Sequence, residues 1–265
     1  MNQYELELNR RRAAKAGKSK GLTTDGLRLW GAFFTLSGVV SAAILQNGLL
    51  DLTNSTNQQL LALMESSSEA MVVASVAIIL QFASYCALPL FAALAADGFV
   101  HTHDRKAYLL RVGALALAAE LPYNLAYHGK LLDLSGRNPV FGLLLALVVL
   151  WLLQQYADGN SKGKNLLVMA GIVAVAGLWT TMLRIDCGFT LVLLTAVLWK
   201  FRHNTVWQLA WGTAVCVLKF PAPLGLLALY GYNGEKGHWD RKLCYLWYPV
   251  VLLVCGVASL LLRGL

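Results

Sequence analysis

Charge-free apolar runs joined by short polar links fill the chain from Leu29 onward. A spanning helix needs about 20 apolar residues to cross ~30 Å of hydrocarbon. Leu29–Leu50, Ala70–Ala96, Ala107–Tyr127, Asn138–Ala157, Asn165–Leu183 and Leu243–Leu262 meet that requirement. Ala70–Ala96 is long enough to tilt or to bend at Pro89. Cys187–Trp199 holds only 13 residues, which covers roughly 20 Å. Asp186 and Lys200 are then expected at the membrane edges or slightly inside. From Asn204 to Gly234, Lys219 splits the apolar run, and Pro221 and Pro223 follow at once. That stretch reads as one long broken helix or as two short ones, since broken helices are tolerated where protein or a cavity satisfies the freed backbone groups.

The expected fold is all-α: a polytopic transmembrane helix bundle of eight or nine spans. Residues 1–28 form a basic arm and residues 29–265 a single membrane domain. No soluble domain and no repeat of fixed period is visible. Composition narrows the class in the same direction. The 265 residues are 57% hydrophobic and 14% charged, where soluble domains average about 25% charged, and mean hydropathy is +0.56. Disorder, a collagen-like chain and an ordinary water-soluble enzyme are excluded.

The net charge of +8 would suggest nucleic acid on a soluble protein. Here the basic residues lie mostly between apolar runs, where they set topology, and no nucleic-acid partner is expected. Arg10, Arg11, Arg12, Lys15, Lys18, Lys20 and Arg28 precede the first run, and the link Asp51–Glu69 has no Lys or Arg. Alternating from there, one side collects Arg105, Lys106, Lys162, Lys164, Lys200 and Arg202, and the other only Lys130, Arg137 and Arg184. The N-terminus is therefore expected in the cytoplasm of a multi-pass cell membrane protein, a bacterial cytoplasmic membrane being the natural setting. Lys236, Arg241 and Lys242 in the last link favour the cytoplasm too, and with it nine spans. The first run is too long for a cleavable signal core. The cysteines, Cys86, Cys187, Cys216, Cys244 and Cys255, show no CxxC and no metal spacing; small buried apolar residues is the reading they support.

Charges at membrane depth are expensive and each needs a reason. Glu120 lies about two-thirds through its helix, beside Pro122. It is either a structural carboxylate paired with a neighbour or a working one. Arg111, nine residues earlier, faces the opposite side of that helix, so each requires a partner elsewhere, or Arg111 snorkels to the surface. His101-Thr102-His103-Asp104-Arg105-Lys106 links two spans. It is an ordinary solvated turn or an anion and proton-transfer site, histidine titrating near neutrality and the cations suiting phosphate. Asp186 and Asn138 read as helix caps, and Tyr232-Asn233-Gly234-Glu235-Lys236-Gly237 as a turn.

Several segments together resemble the TraX family of membrane proteins. They are Leu88-Pro89-Leu90-Phe91, Asp97-Gly98-Phe99-Val100-His101-Thr102, Tyr108-Leu109-Leu110-Arg111 and Ala119-Glu120-Leu121-Pro122-Tyr123-Asn124-Leu125-Ala126. Asn138 with Val140-Phe141, Asp186-Cys187-Gly188 and the Tyr232–Gly237 turn complete the set, over residues ~70–255. The resemblance implies a multi-helix protein of the lipid bilayer related to membrane acyltransferases, in a family named for pilin acetylation in conjugation. It implies acetyl-CoA as donor and a protein or glycan amine or hydroxyl as acceptor. On that footing His101 is the candidate base. Arg105, Lys106 and Arg111 are candidates for the donor's phosphates. Glu120, the second catalytic candidate, lies with Asn124 and Asn138 toward the acceptor side, Asp186 is a candidate to hold a helix end or the acceptor, and Asn233 and Glu235 are candidates for substrate binding. One departure stands out. The Asp-His pair usual in the family's first span is replaced here by Ser41 and Ala42, and Phe82–Ala87 stands where a Gly-Arg often occurs. A non-catalytic member, acting as a small-molecule transporter or membrane assembly partner, is the alternative.

Overall fold

The computed structural model describes residues 21–157, 162–235, 237–239 and 241–263. The basic residues of the arm from Arg10 to Lys20, and Lys236 of the last link, lie outside the described residues. Among the described residues the protein is all helix, with two isolated backbone bridges, Leu22 to Tyr232 and Arg137 to Ile185.

The helices are α1 (Thr24–Val39, continuing as a π-helix through Val40–Leu49), α2 (Asn57–Ser66), α3 (Ser68–Ser84), α4 (Ala87–His101), α5 (Arg105–His128) and α6 (Val140–Ala157). They continue with α7 (Lys162–Met182), α8 (Gly188–Lys200), α9 (Thr205–Cys216), α10 (Leu226–Tyr230) and α11 (Arg241–Arg263). Thr23, Thr56, Ser67, Asp104 and Asn204 cap α1, α2, α3, α5 and α9 with side-chain oxygens, each satisfying a backbone N–H that the helix itself leaves free. Gly129, in the left-handed region at φ 65°, closes α5.

Four stretches are long and apolar enough to cross a membrane: Thr24–Leu49, Ser68–His101, Asn165–Met182 and Cys244–Arg263. Val140–Gln155 and Gly188–Lys200 are apolar but shorter. The outward faces are greasy: Leu110 and Leu117 on α5 are 73% and 69% exposed, and Leu167 and Met182 on α7 are 76% and 80% exposed. Such surfaces belong against lipid rather than water.

Call the end where α1 starts proximal. The distal end is tied by α11, α1 and α5. Asn47 donates to the carbonyls of Ala126 and Tyr127, and Arg263 Nε donates to the Asn47 carbonyl at 2.7 Å. Toward the proximal end Phe99, Val112, Leu150 and Trp199 share one apolar core. Leu88, Leu191, Leu194, Cys216 and Ala222 form a second core deeper in the bundle.

Two interruptions shape the interior. The long run expected to bend at Pro89 instead breaks at Tyr85–Cys86, one turn earlier, with Pro89 inside the first turn of α4. Proline has no N–H for the Tyr85 carbonyl, so the ladder fails one turn before it. The second interruption resolves the Asn204–Gly234 ambiguity in favour of two short helices, α9 and α10, joined by tight turns through Val217–Lys219 and Ala222–Gly225. Both ends of this stretch are proximal. Asn204 follows Trp199, and Gly231 accepts from Leu22 N at 2.8 Å. Its middle reaches the α3–α4 break, where Cys86 Sγ lies 3.5 Å from the Pro221 carbonyl oxygen. Gly225 passes so close to the Cys86 carbonyl that no side chain fits there.

Candidate functional site

The last turns of α4 put Asp97 and His101 four residues apart on one face, where helix side chains meet. His101 Nδ1 lies 2.9 Å from the Asp97 backbone oxygen and 3.2 Å from Asp97 Oδ1. Tyr232 donates its hydroxyl to Asp97 Oδ2 at 3.4 Å and lies 3.2 Å from Thr24 Oγ1. The turn carrying Tyr232 is stitched to the start of α1. Thr24 donates to the Glu235 carbonyl from both N and Oγ1, and Asn233 N donates to the Leu22 carbonyl. Asp25 accepts from the backbone N–H groups of His238 and Trp239.

Two segments 135 residues apart thus meet around one carboxylate. Within the turn, Asn233 Oδ1 accepts from Glu235 N at 2.9 Å, and the Glu235 contribution to the joint is its backbone carbonyl. Their side chains shape the turn. Gly98 makes room for Tyr108, since a Cβ there would stand 2.8 Å from its hydroxyl.

Burial pushes the Tyr232 phenol up to about 12, with the Asp97 carboxylate adding to the rise. A folded pKa above the unfolded value of about 10 stabilises below pH 10 and loses that contribution as pH rises toward 12. Alkaline titration followed by tyrosinate absorbance is expected to lose a step near pH 12 in Tyr232→Phe.

At the same end of the bundle lies an open hollow of about 510 Å³ lined by His103, Asp104, Arg105, Lys106 and Trp151. Asp104 Oδ1 caps α5 by accepting from Ala107 N at 3.0 Å. The Arg105 guanidinium lies 5.1 Å from the Phe99 ring centre, and its Nε is buried with no partner among the described residues. Arg111, proposed from the sequence as a further phosphate ligand, donates to its own helix at the Ala107 carbonyl, 3.1 Å away, and stands outside the hollow lining.

Glu120 is fifteen residues beyond Arg105 on α5, about 22 Å along the axis. It finds the partner on another element that its depth demands. Asn138 donates to Glu120 Oε2 from Nδ2 at 2.6 Å and from its backbone N at 3.2 Å. Arg137 Nη1 stands 3.8 Å from Oε1. Asn138 also donates to the Ala116 carbonyl and caps α6 by accepting from Val140 N. Arg137 pairs by backbone with Arg184 and Asp186, so α5, α6 and the α7–α8 turn are tied at one level. Asn138→Ala strips the Glu120 carboxylate of its side-chain donor and α6 of its cap, and is expected to cost about 2–3 kcal/mol, read as a fall in the thermal midpoint in detergent.

Asp186 does not cap α8 through its side chain. Cys187 holds that place at φ 53°, and its thiol lies 3.4 Å from Asp186 Oδ1. Asn124 is buried, and its Oδ1 has no hydrogen-bond partner among the described residues. Lys219, at the tip of the α9–α10 turn, lies 5.4 Å from the Tyr85 ring centre. In α1, Ser41 donates to the Ala77 carbonyl and accepts from Gln46 Nε2, so structural contacts fill the place of the missing Asp-His pair.

His101 and Glu120 are therefore brought into two separate polar layers. Sequence reasoning passed over Asp97, Tyr232 and Lys219 as site residues. The i,i+4 spacing of Asp97 and His101 was the available signal for the first. Lys219 between apolar runs was the signal for the last.

Helices with lipid-facing apolar surfaces and two internal polar layers define an integral membrane protein of the helical class. Within that class, the chain belongs to the TraX family: the family model described as TraX protein matches residues 59–259. That stretch carries Asp97, His101, Tyr232, Glu120 and Asn138 and begins after α1, so the Thr24 side of the first layer lies before it. No curated protein and no solved structure matches the chain.

Proposed function

We propose that the protein is a membrane acetyltransferase that moves an acetyl group from acetyl-CoA to an amine or hydroxyl of a pilin-like protein or an envelope glycan. The observation that carries this reading is the Asp97–His101 pair at the same end as the hollow holding Arg105 and Lys106. Acyl transfer from a thioester needs a proton acceptor beside an anion-binding surface. Asp97 lies against the Nδ1 side of the imidazole, and Nε2 is the base in this reading. The acceptor's N–H or O–H gives its proton to Nε2 as the new C–N or C–O bond forms. The C–S bond then breaks, and the imidazolium returns the proton to the departing thiolate. Glu120, committed to Asn138 about 22 Å away, orients the deeper layer with Asn124 and Asp186 and takes no part in that proton transfer.

The same reading puts the proximal end in the cytoplasm of a cell membrane, supported by Arg105, Lys106, Lys200 and Arg202 at that end. Seven crossings, with α9–α10 a re-entrant hairpin, stand in place of the eight or nine expected from apolar runs. This keeps the last link cytoplasmic and the C-terminus on the far side.

A carrier is the second reading, favoured by Lys219 at the tip of that hairpin and by the helix break beside it, a pattern that suits ion or solute passage. Labelled acetyl transfer in membranes separates the two. The proposal expects labelling of an amine or hydroxyl acceptor above that of membranes lacking the protein. No labelling across pilin and glycan acceptors, with solute uptake instead, refutes it.

A further inference from the structure

The hollow at the start of α5 holds more than a pair of cations. Trp151 reaches it from α6, which runs antiparallel to α5, so an indole stands with His103, Arg105 and Lys106 around one open space of about 510 Å³. Neither cation forms an ion pair among the described residues, and Arg105 keeps a buried Nε with no partner. Asp104, the one acid in the lining, spends Oδ1 on the α5 cap, and its second oxygen is left to accept from a hydroxyl or an amine. Arg and Lys match phosphate oxygens, the former as a planar fork. An indole face offers a platform for a base. A ligand that carries two phosphates and a purine satisfies all of these groups together.

We infer that the hollow binds the 3′-phosphoadenosine end of the acyl donor, with the adenine on Trp151 and the phosphates on Arg105 and Lys106. This assignment rests on the acyl-CoA reading above. It leaves the acetyl-pantetheine arm to run toward His101, two residues before His103. Trp and basic residues also gather at membrane surfaces, where lipid headgroups supply the phosphate. The purine is what separates the two sources.

The probe is adenosine 3′,5′-bisphosphate, which lacks the thiol arm and cannot be turned over. It is titrated by calorimetry into purified protein in phosphatidylcholine nanodiscs, with and without phosphatidylglycerol. Binding by the wild type is expected, weakened about tenfold or more in Trp151→Ala and largely retained in Trp151→Phe. It is expected to weaken in Lys106→Ala as well. Equal binding by Trp151→Ala overturns the inference, as does abolition of binding by phosphatidylglycerol, which would make the hollow a headgroup site. Absent binding with intact acetyl transfer overturns the hollow and leaves the proposed function standing. Absence of both overturns the two together.

Discussion

His101→Ala is expected to lower acetyl transfer by about 10²–10⁴-fold, the usual worth of a positioned proton acceptor. The fold should be largely kept, because His101 is exposed at the last residue of α4 and its Nδ1 contacts fall on Asp97 of the same helix. Asp97→Asn separates the roles. It keeps the size and most of the contact with Tyr232 but removes the negative charge that steadies an imidazolium. Its loss should be smaller than that of His101→Ala and should fall on turnover more than on donor binding. Initial rates against acetyl-CoA concentration for the three proteins check both statements. A His101→Ala protein as active as wild type would remove the base from this end.

Gly225→Leu is expected to be the most damaging single change to stability. A Cβ at that position would overlap the Cys86 carbonyl and stand 2.7 Å from Pro89 Cγ. A flexible side chain gives way by rotating, but the Cys86 backbone carbonyl, held at the cap position before α4, does not. Overpacking of this kind costs about 1–3 kcal/mol and sometimes more, and the upper part of that range applies. The hairpin would be forced off the α3–α4 break, carrying Lys219 away from Tyr85 and loosening the anchor of Tyr232. The readouts are a lower thermal midpoint in detergent and faster proteolysis between Thr205 and Tyr230. Gly171→Ala, at a position with open space around it, serves as the control and should leave both unchanged.

Much of the helical layout was legible because a buried charge is costly, so charge-free runs mark spans. The runs expected at Ala107–Tyr127, Asn138–Ala157, Asn165–Leu183 and Leu243–Leu262 lie within about three residues of α5, α6, α7 and α11. The run at Leu29 was started too late, since α1 begins at Thr24 and admits Asp25 and Arg28, which pair with each other at 2.9 Å. Helix α2 was invisible. Its apolar run Leu60–Met64 is only five residues long and sits between polar residues in a link, and it buries none of its residues. The hairpin of α9 and α10 was seen as a discontinuity, but its return to the proximal end depends on hydrogen bonds between Leu22 and the 231–233 turn, which no local pattern announces.

The site was legible by element and less so by partnership. Glu120 and Asn138 were both singled out, yet their joining needs α5 and the start of α6 to be adjacent. Asp97 falls one residue past the end of the apolar run Ala70–Ala96, so composition alone marks nothing there but the end of a span. Helical spacing alone places it over His101, and only the tertiary fold adds Tyr232. Arg111 was assigned by charge and proximity in sequence. Its position six residues along α5 from Arg105 turns it away from the hollow, to which His103 and Trp151 belong instead.

Sidedness tests the central claim most directly. Purified protein is reconstituted in vesicles, its orientation fixed by a cleavable tag at the N-terminus, and labelled acetyl-CoA is supplied to one face at a time. Transfer to an amine or hydroxyl acceptor is predicted only when the donor reaches the face that carries Arg105, Lys106 and His101. Transfer solely from the face of Lys130 and Arg184, or none from either face, would contradict the account.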